Sequence, residues 1–202
     1  WEKTPQLINN KNLFPHLICI PTTAGTGAET ESSAMVTDTK LLMKWCIAHP
    51  EQKPFEVILD PELTFDLPKN LTAWTGIDAL VHAIEAYVID DFHPLCDGSA
   101  IEALRLIYPN LPIVFKNPHD FTSRGKMLVG SCLAGISFLK GLGFVHAISH
   151  MVGAEFDTQH GLTNAIVLPA VLKFNEKSIS HKIPIMSEAM NLKKNNFDYF
   201  YK

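Results

Sequence analysis

The spacing of apolar and polar positions changes about a third of the way along the chain. Up to residue 66, short apolar runs alternate with segments rich in Thr, Gly and Asp, a pattern that predicts strands joined by loops. From residue 67 onward, apolar residues recur over long stretches at helical spacing. We therefore expect a strand-rich unit over residues 1–66 and an all-helical unit over residues 67–202.

Individual elements follow from the same pattern. Strands are predicted over residues 16–20, 34–37, 43–48 and 57–59, with Thr-Asp-Thr-Lys as the turn between the second and third. Helices are predicted over residues 70–89, 94–115, 123–139, 145–154 and 162–175. Asn70 or Thr72 is the expected N-cap of the first helix. Pro109 and Pro112 are expected to break or kink the second helix, and Pro169 the fifth.

Composition narrows the class of protein. The 202 residues are 47% hydrophobic and 19% charged, enough to bury a core. The net charge is −4 with no stripe of Lys and Arg, which argues against a nucleic-acid partner. Four dispersed cysteines without a CxxC pair indicate free thiols in a reducing compartment. The most apolar stretch, residues 127–144, is too polar and too interrupted by glycine to span a bilayer, so we expect no membrane association and a cytoplasmic location.

Two pairs of polar residues lie four positions apart on apolar helices. Asp78 and His82 share one face of the first helix, and His146 and His150 share one face of the fourth. His160 follows just before the fifth helix. One carboxylate with two or three imidazoles suits Zn²⁺ or Fe²⁺ with an open coordination position. Spacing alone leaves two interpretations open, a metal site and a set of histidines packed in a core.

A second candidate is the loop Pro-Thr-Thr-Ala-Gly-Thr-Gly-Ala-Glu at residues 21–29, which follows a predicted strand. Its glycines permit tight backbone turns, and its threonines offer hydroxyl groups beside the backbone amides. Such a loop can hold a phosphate or a ribose. It does not match the GxGxxG pattern, since Thr30 stands at the third glycine, and it is not a Walker loop.

Three segments resemble the iron-containing (group III) alcohol dehydrogenases. They are IPTTAGTGAE, DPELTFDLPKNLTAWTGIDALVHAIEAY and GLGFVHAISHMVGAEFDTQHGLTNAIVLP, in the order and at the separations that the family has. The resemblance implies a dehydroquinate synthase-like architecture. Residues 1–66 would be the C-terminal part of a Rossmann-like α/β dinucleotide-binding domain, and residues 67–202 an all-α metal-binding catalytic domain, incomplete at its C-terminus.

The resemblance also implies roles for particular residues. The family's metal ligands fall on Asp78, His82, His146 and His160. His150 matches a histidine beside the cofactor and substrate that takes part in proton transfer. The cofactor-contacting positions are Thr22, Thr23, Thr26 and Lys44.

Two departures from the family pattern stand out. Glu31 occupies a position where many members have a small hydroxyl residue. The glycine turn that holds the pyrophosphate of NAD(P) is missing from the 202 residues. The sequence therefore looks like the middle portion of a family member. We expect these residues alone to bind metal but to bind NAD(P)H poorly.

The implied function is a metal-dependent alcohol dehydrogenase that transfers a hydride between NAD or NADP and an alcohol, aldehyde or ketone bound to Fe²⁺ or Zn²⁺ through its oxygen. Such an enzyme is expected to be a homo-oligomer, in the simplest case a dimer. One alternative is a maleylacetate reductase or a relative of glycerol dehydrogenase. Another is a metal-binding fragment without catalytic activity.

Overall fold

The computed structural model describes residues 14–41 and 43–202, without the side chains of Met43 and Lys44. Within these ranges the chain forms four short strands followed by seven α-helices. The strands are β1 (Ile18–Cys19), β2 (Ser33–Asp38), β3 (Met43–Ala48) and β4 (Glu56–Val57). The helices are α1 (Lys69–Val88), α2 (Pro94–Lys116), α3 (Phe121–Ser137), α4 (Phe144–Phe156), α5 (His160–Ile179), α6 (Ile183–Ala189) and α7 (Phe197–Tyr201).

Strands β2 and β3 form an antiparallel hairpin, with Ser33 opposite Ala48. This confirms the predicted pair of strands. The Asp38 carboxylate accepts the backbone N–H groups of Lys40 at 2.9 Å and Leu41 at 3.0 Å. A local side-chain acceptor of this kind is typical of Asp at the entry to a turn.

Strands β1 and β4 are shorter than predicted and pair with each other in parallel. In the described part of the chain each has a single neighbouring strand, and the connection between them runs through the hairpin and short 3-10 turns. With so little of a sheet around them, Ile18 and Ile20 remain about half exposed. The assignment of this part to a Rossmann-like domain therefore stays a prediction.

The five predicted helices are present, and the largest shift of an end is at α5, which continues to Ile179 instead of residue 175. Helices α6 and α7 were not predicted. The predicted N-cap of α1 is wrong, because the helix follows Pro68 and has no side-chain cap. Asn70 and Thr72 lie inside the first turn. The Thr72 hydroxyl is instead used in a buried contact with Arg124, whose Nη1 donates to it at 3.2 Å.

Breaks at Pro109, Pro112 and Pro169 are also absent, because α2 and α5 each continue as helix through their prolines. A proline inside a helix costs about 3 kcal/mol or more. Packing outweighs that cost in α2, which lies against both α1 and α3. Its inner face is completely buried at Leu104 and Ile107.

Helix α1 lies at the centre of the helical part and packs against α2, α3 and α5. Its Ala79, Val81 and Ala83 are fully buried. A separate small cluster joins Val81 of α1 to Val145 of α4 and Val171 of α5. This cluster brings α4 and α5 to the same side of α1.

The loop that contains the three threonines packs against the helical part through glycines. Gly27 has a left-handed φ of 64°, and a Cβ atom on Gly135 of α3 would lie 2.8 Å from the Gly27 carbonyl oxygen. The Thr30 hydroxyl donates to the same oxygen at 2.7 Å. A Cβ atom on Gly25 would lie 2.7 Å from the Thr75 Cβ atom of α1. Glycines therefore allow the loop to approach α1 and α3 closely.

No single helix among residues 14–41 and 43–202 is long and apolar enough to cross a membrane. The pair formed by residues 121–140 and 144–156 meets the length and composition requirements together, with a bend of 101° between its two parts.

The close contact at Gly135 predicts opposite effects for one substitution at two helical glycines. Gly135→Ala should lower the free energy of unfolding by about 1–3 kcal/mol, because the added methyl group collides with the backbone at Gly27. Gly98→Ala in α2 has open space around it and should raise stability by about 0.5–1 kcal/mol through helix propensity. Urea unfolding of both variants measures the difference. Equal effects at the two sites would contradict the predicted contact.

Glu31 lies at the end of the same loop and is half buried. Burial raises its pKa to about 7, against the opposing attraction of Lys53. A carboxyl group whose pKa is higher in the folded state than in the unfolded state favours folding in its protonated form. The contribution of Glu31 to stability is therefore lost as the pH rises from its ordinary pKa of 4.5 through the folded-state value of about 7.

Glu31→Gln keeps the side chain neutral at every pH and should remove this loss. We expect the melting temperature of the variant to exceed that of the parent at pH 8, with a smaller difference at pH 5. Differential scanning fluorimetry at the two pH values measures this. Glu56→Gln, at an exposed carboxylate on β4, is the matched control. A difference that is independent of pH would refute the assignment.

Candidate metal centre

Three helices bring four of the predicted site residues together. Asp78 and His82 lie on α1, His146 on α4, and His160 is the first residue of α5. Asp78 Oδ1 lies 3.9 Å from His82 Nε2, 3.5 Å from His146 Nε2 and 3.4 Å from His160 Nε2. One donor atom each from Asp78, His82 and His146 fits within a span of 4.8 Å.

These separations suit a bound divalent cation. Two donor atoms at about 2.1 Å from a tetrahedral ion lie about 3.4 Å apart. The observed distances of 3.4–3.9 Å are close to that value and longer than those of good hydrogen bonds. One carboxylate and three imidazoles also form a donor set that zinc and iron accept. The residues present therefore fit a metal ion.

The amide group of Asn164, a residue of α5, supports the same conclusion. Its Nδ2 atom donates to Asp78 Oδ1 at 2.7 Å and lies 3.3 Å from Nε2 of both His146 and His160. One carboxylate oxygen and two ring nitrogens thus converge on one small group that carries partial positive charge. The Asn164 Oδ1 atom is buried without a hydrogen-bond partner in the described structure.

Burial differs among the four residues. Asp78, His82 and His146 are at most 4% exposed, whereas the side chain of His160 is 33% exposed. The centre therefore has a closed interior and one side that opens at the start of α5.

The ionisation of these groups follows from burial and from their mutual contacts. Burial lowers the pKa of His82 to about 4, so its ring is neutral at pH 7. Burial alone would raise the pKa of Asp78, but contact with His146 and with the other two imidazoles holds it below its usual value. Burial opposes the charged form of His146, yet its bonds to Asp78 and Glu85 raise its pKa. Asp78 is therefore an anion at neutral pH.

Glu85 is a site residue that the sequence analysis missed. It lies on α1 and is 4% exposed, and its Oε2 atom lies 2.7 Å from Nδ1 of His146. Burial raises the pKa of Glu85, but the bonds from His146 and from backbone N–H groups outweigh that effect, and the pKa falls below its usual value. Its position seven residues after Asp78 places it on the same face of α1, but the sequence does not show that α4 begins beside it. Asn164 lies four residues after His160 and so shares a face of α5 with it.

His150 lies on α4 beside the four residues, but on the exposed side. Its ring centroid is 5.1 Å from that of His160 and 6.0 Å from that of His146. The structure thus places it at the margin of the centre, between the buried donors and solvent.

The predicted cofactor loop lies against the same helix as the centre. Gly25 contacts Thr75, which precedes Asp78 by three residues and so shares its face of α1. Thr22 and Thr26 are exposed and Thr23 is half buried. The Thr26 hydroxyl accepts the backbone N–H of Ala28 at 3.2 Å. The predicted contact of Lys44 involves a side chain outside the described residues.

Comparison with known proteins gives matches along most of the chain. The sequence pattern of the Fe-containing alcohol dehydrogenase family, C-terminal, matches residues 72–199. The pattern called iron-containing alcohol dehydrogenase matches residues 2–61.

Individual relatives agree with these matches. The chain is 42% identical over 181 residues to the probable alcohol dehydrogenase EutG of Escherichia coli (strain K12), covering 89% of this chain and 46% of that protein. It is 43% identical over 160 residues to the NAD-dependent methanol dehydrogenase of Bacillus methanolicus, covering 79% and 42%. The crystal structure of a 1,3-propanediol oxidoreductase superposes with a TM-score of 0.84 at 37% identity, covering 87% and 46%.

The chain thus spans less than half the length of these relatives. The first family match alone covers more than half of the 202 residues and includes Asp78, His82, His146 and His160. The chain belongs to the iron-containing alcohol dehydrogenase family.

Proposed function

We propose that the protein is a metal-dependent alcohol dehydrogenase that transfers a hydride between NAD(P) and a small alcohol or its carbonyl product. The observation that carries this proposal is the convergence of one carboxylate and three imidazoles on a single point, with 3.4–3.9 Å between Asp78 Oδ1 and the Nε2 atoms. The name of the methanol dehydrogenase relative supports the choice of NAD and of an alcohol.

Asp78, His82, His146 and His160 would hold the metal ion. When bound, a divalent ion supplies Lewis-acid chemistry, which favours the alkoxide form of an alcohol and polarises a carbonyl. Asp78 contributes the single negative charge of this set, and His82 contributes a neutral ring. Since His160 is the most exposed of the four, the substrate would approach from its side.

His150 is proposed to move the proton that an alcohol releases on oxidation. Its exposed ring lies 5.1 Å from that of His160. A ring nitrogen of His150 can therefore accept a proton at the open side and pass it to solvent, the usual role of a histidine near neutral pH.

The nicotinamide cofactor is proposed to lie along the loop that contains Thr22, Thr23 and Thr26, with Lys44 near its ribose. The loop packs on α1 through Gly25, one turn before Asp78, which supports a short distance between cofactor and substrate. We accordingly propose that residues 1–66 belong to a dinucleotide-binding domain and residues 67–202 to a catalytic domain.

The metal assignment predicts the effect of removing a donor. Asp78→Asn and His160→Ala, made in the gene product at its natural length, should lower bound metal far below one ion per chain. Elemental analysis after anaerobic purification and reloading with Fe²⁺ or Zn²⁺ measures this. His181→Ala, at an exposed histidine of the helical part, should keep its metal. Full metal content in both ligand variants would overturn the assignment.

The parent protein in the same experiment should reduce NAD or NADP when a primary alcohol is added. Loss of this activity on removal of the metal, and its return on reloading, is the result expected for an alcohol dehydrogenase. A protein that binds metal but reduces neither cofactor with any short alcohol would instead be a metal-binding protein without dehydrogenase activity.

His150→Ala should retain the metal and lose turnover. Removal of a general acid–base group typically lowers kcat by about 10²–10⁴-fold. Metal content and kcat measured on the same preparation separate the two roles. A proportional loss of metal and activity would instead make His150 a ligand.

A further inference from the structure

Glu85 makes contacts that the proposed mechanism does not use. It lies on α1 three residues after His82 and is 4% exposed. Its Oε1 atom accepts the backbone N–H of Val145 at 2.7 Å. Its Oε2 atom lies 2.7 Å from Nδ1 of His146 and 3.4 Å from the backbone nitrogen of the same residue.

These contacts replace a missing helix cap. Helix α4 begins after Gly143, and no side chain of its own caps it. The first N–H groups of a helix lack partners within the helix and favour a negative charge nearby. The carboxylate of Glu85 supplies that charge from the neighbouring helix α1. One side chain therefore fixes the start of α4 against the helix that carries Asp78.

Gly143 provides the space for this arrangement. A Cβ atom on Gly143 would lie 2.6 Å from Oε1 of Glu85. The φ of Gly143 is −105°, which other residues adopt readily. The requirement for glycine here is therefore one of space for the carboxylate and not of backbone conformation.

The contact with the His146 ring determines which nitrogen faces the other ligands. A carboxylate accepts a proton donor, so Nδ1 carries the hydrogen, and in the neutral ring that a metal requires Nε2 keeps its lone pair. Nε2 is the atom that lies 3.5 Å from Asp78 Oδ1. His82 differs, because its Nδ1 is buried without a hydrogen-bond partner among the described residues. Of the two rings, His146 is the one whose neutral form is held in a single tautomer by a contact of its Nδ1 atom.

We propose that Glu85 is a positioning residue that prepares His146 for metal binding by fixing both its backbone and its ring tautomer. The inference rests on the proposed metal site. A carboxylate behind a metal-bound histidine commonly changes metal affinity by about 10–100-fold. At this site the same carboxylate also joins α1 to α4.

Glu85→Gln tests the proposal with a neutral side chain of the same size. Its amide oxygen can still accept the Val145 N–H, but its NH₂ group then faces Nδ1 of His146. The ring should change tautomer, so that Nε2 carries the hydrogen and must lose it before binding a metal. We expect metal affinity to fall by about 10–100-fold. In ¹⁵N spectra of labelled histidine, recorded at a pH at which the His146 ring is neutral, the metal-free variant should show the changed tautomer. Competition with a chromophoric zinc chelator measures the affinity.

Two control variants separate positioning from stability. Glu102→Gln makes the same chemical change at an exposed carboxylate that pairs with Arg105 on α2, and it should leave both measurements unchanged. Val145→Ala removes buried packing at the start of α4 but keeps Glu85. It should lower the melting temperature without changing the His146 tautomer.

The outcomes distinguish this inference from the proposed function. An unchanged tautomer and unchanged zinc affinity in Glu85→Gln, with zinc bound tightly by the parent, would overturn only the role of Glu85. If Val145→Ala and Glu85→Gln lowered the melting temperature by the same amount and also lowered zinc affinity by the same amount, the role of Glu85 would again be overturned. A parent protein that binds no metal would overturn the proposed function and this inference together.

Discussion

A negative charge buried in an apolar helix is the constraint on which the arrangement of α1, α4 and α5 depends. Asp78 is 3% exposed, and the fully buried Ala79, Val81 and Ala83 follow it along α1. An ionised carboxylate in such a place is unfavourable by several kcal/mol unless other groups compensate it. Its compensation comes from imidazoles on α4 and α5 and from the Asn164 amide. Because these groups belong to separate helices, the charge of Asp78 is satisfied only when the three helices meet at their observed positions.

Close approach of the helices in turn requires small residues at their contacts. Gly161 follows His160, and a Cβ atom there would overlap the Trp74 carbonyl oxygen and lie 3.3 Å from Cβ of Asp78. Gly143 has the same role where Glu85 reaches α4. Side-chain donor atoms can come within 3.5 Å of one another only if the backbones that carry them are close. The glycines beside the proposed ligands are therefore part of the candidate site, although they carry no functional group.

Five of the helices were predicted, because they follow from the local spacing of apolar positions. Spacing also paired Asp78 with His82 on one helix and His146 with His150 on another, but the set of Asp78, His82, His146 and His160 was implied only by the family resemblance, since it joins three separate helices. The sequence did not predict the intact helices at Pro109 and Pro112, since the burial of α2 against two partners outweighs an unfavourable local preference. The predicted N-cap at Asn70 or Thr72 was wrong for a similar reason. The hydroxyl of Thr72 makes a tertiary contact with Arg124, 52 positions away, instead of capping the helix. Glu85 was not predicted as a site residue, because its contacts are with the start of α4, which lies 60 residues from it along the chain.

The unequal exposure of the site residues bears on where the hydride and the proton would go in the proposed reaction. Asp78, His82 and His146 form a buried floor, so neither water nor substrate reaches the centre from their side. The partly exposed His160 and the exposed His150 lie together at the opening. The threonine loop contacts α1 at Thr75, on the face that carries Asp78. In the proposed reaction the hydride would pass to a cofactor on this loop, whereas the proton would leave through His150. Water that receives the proton would thus have no need to enter the buried floor, where it would compete with the substrate oxygen.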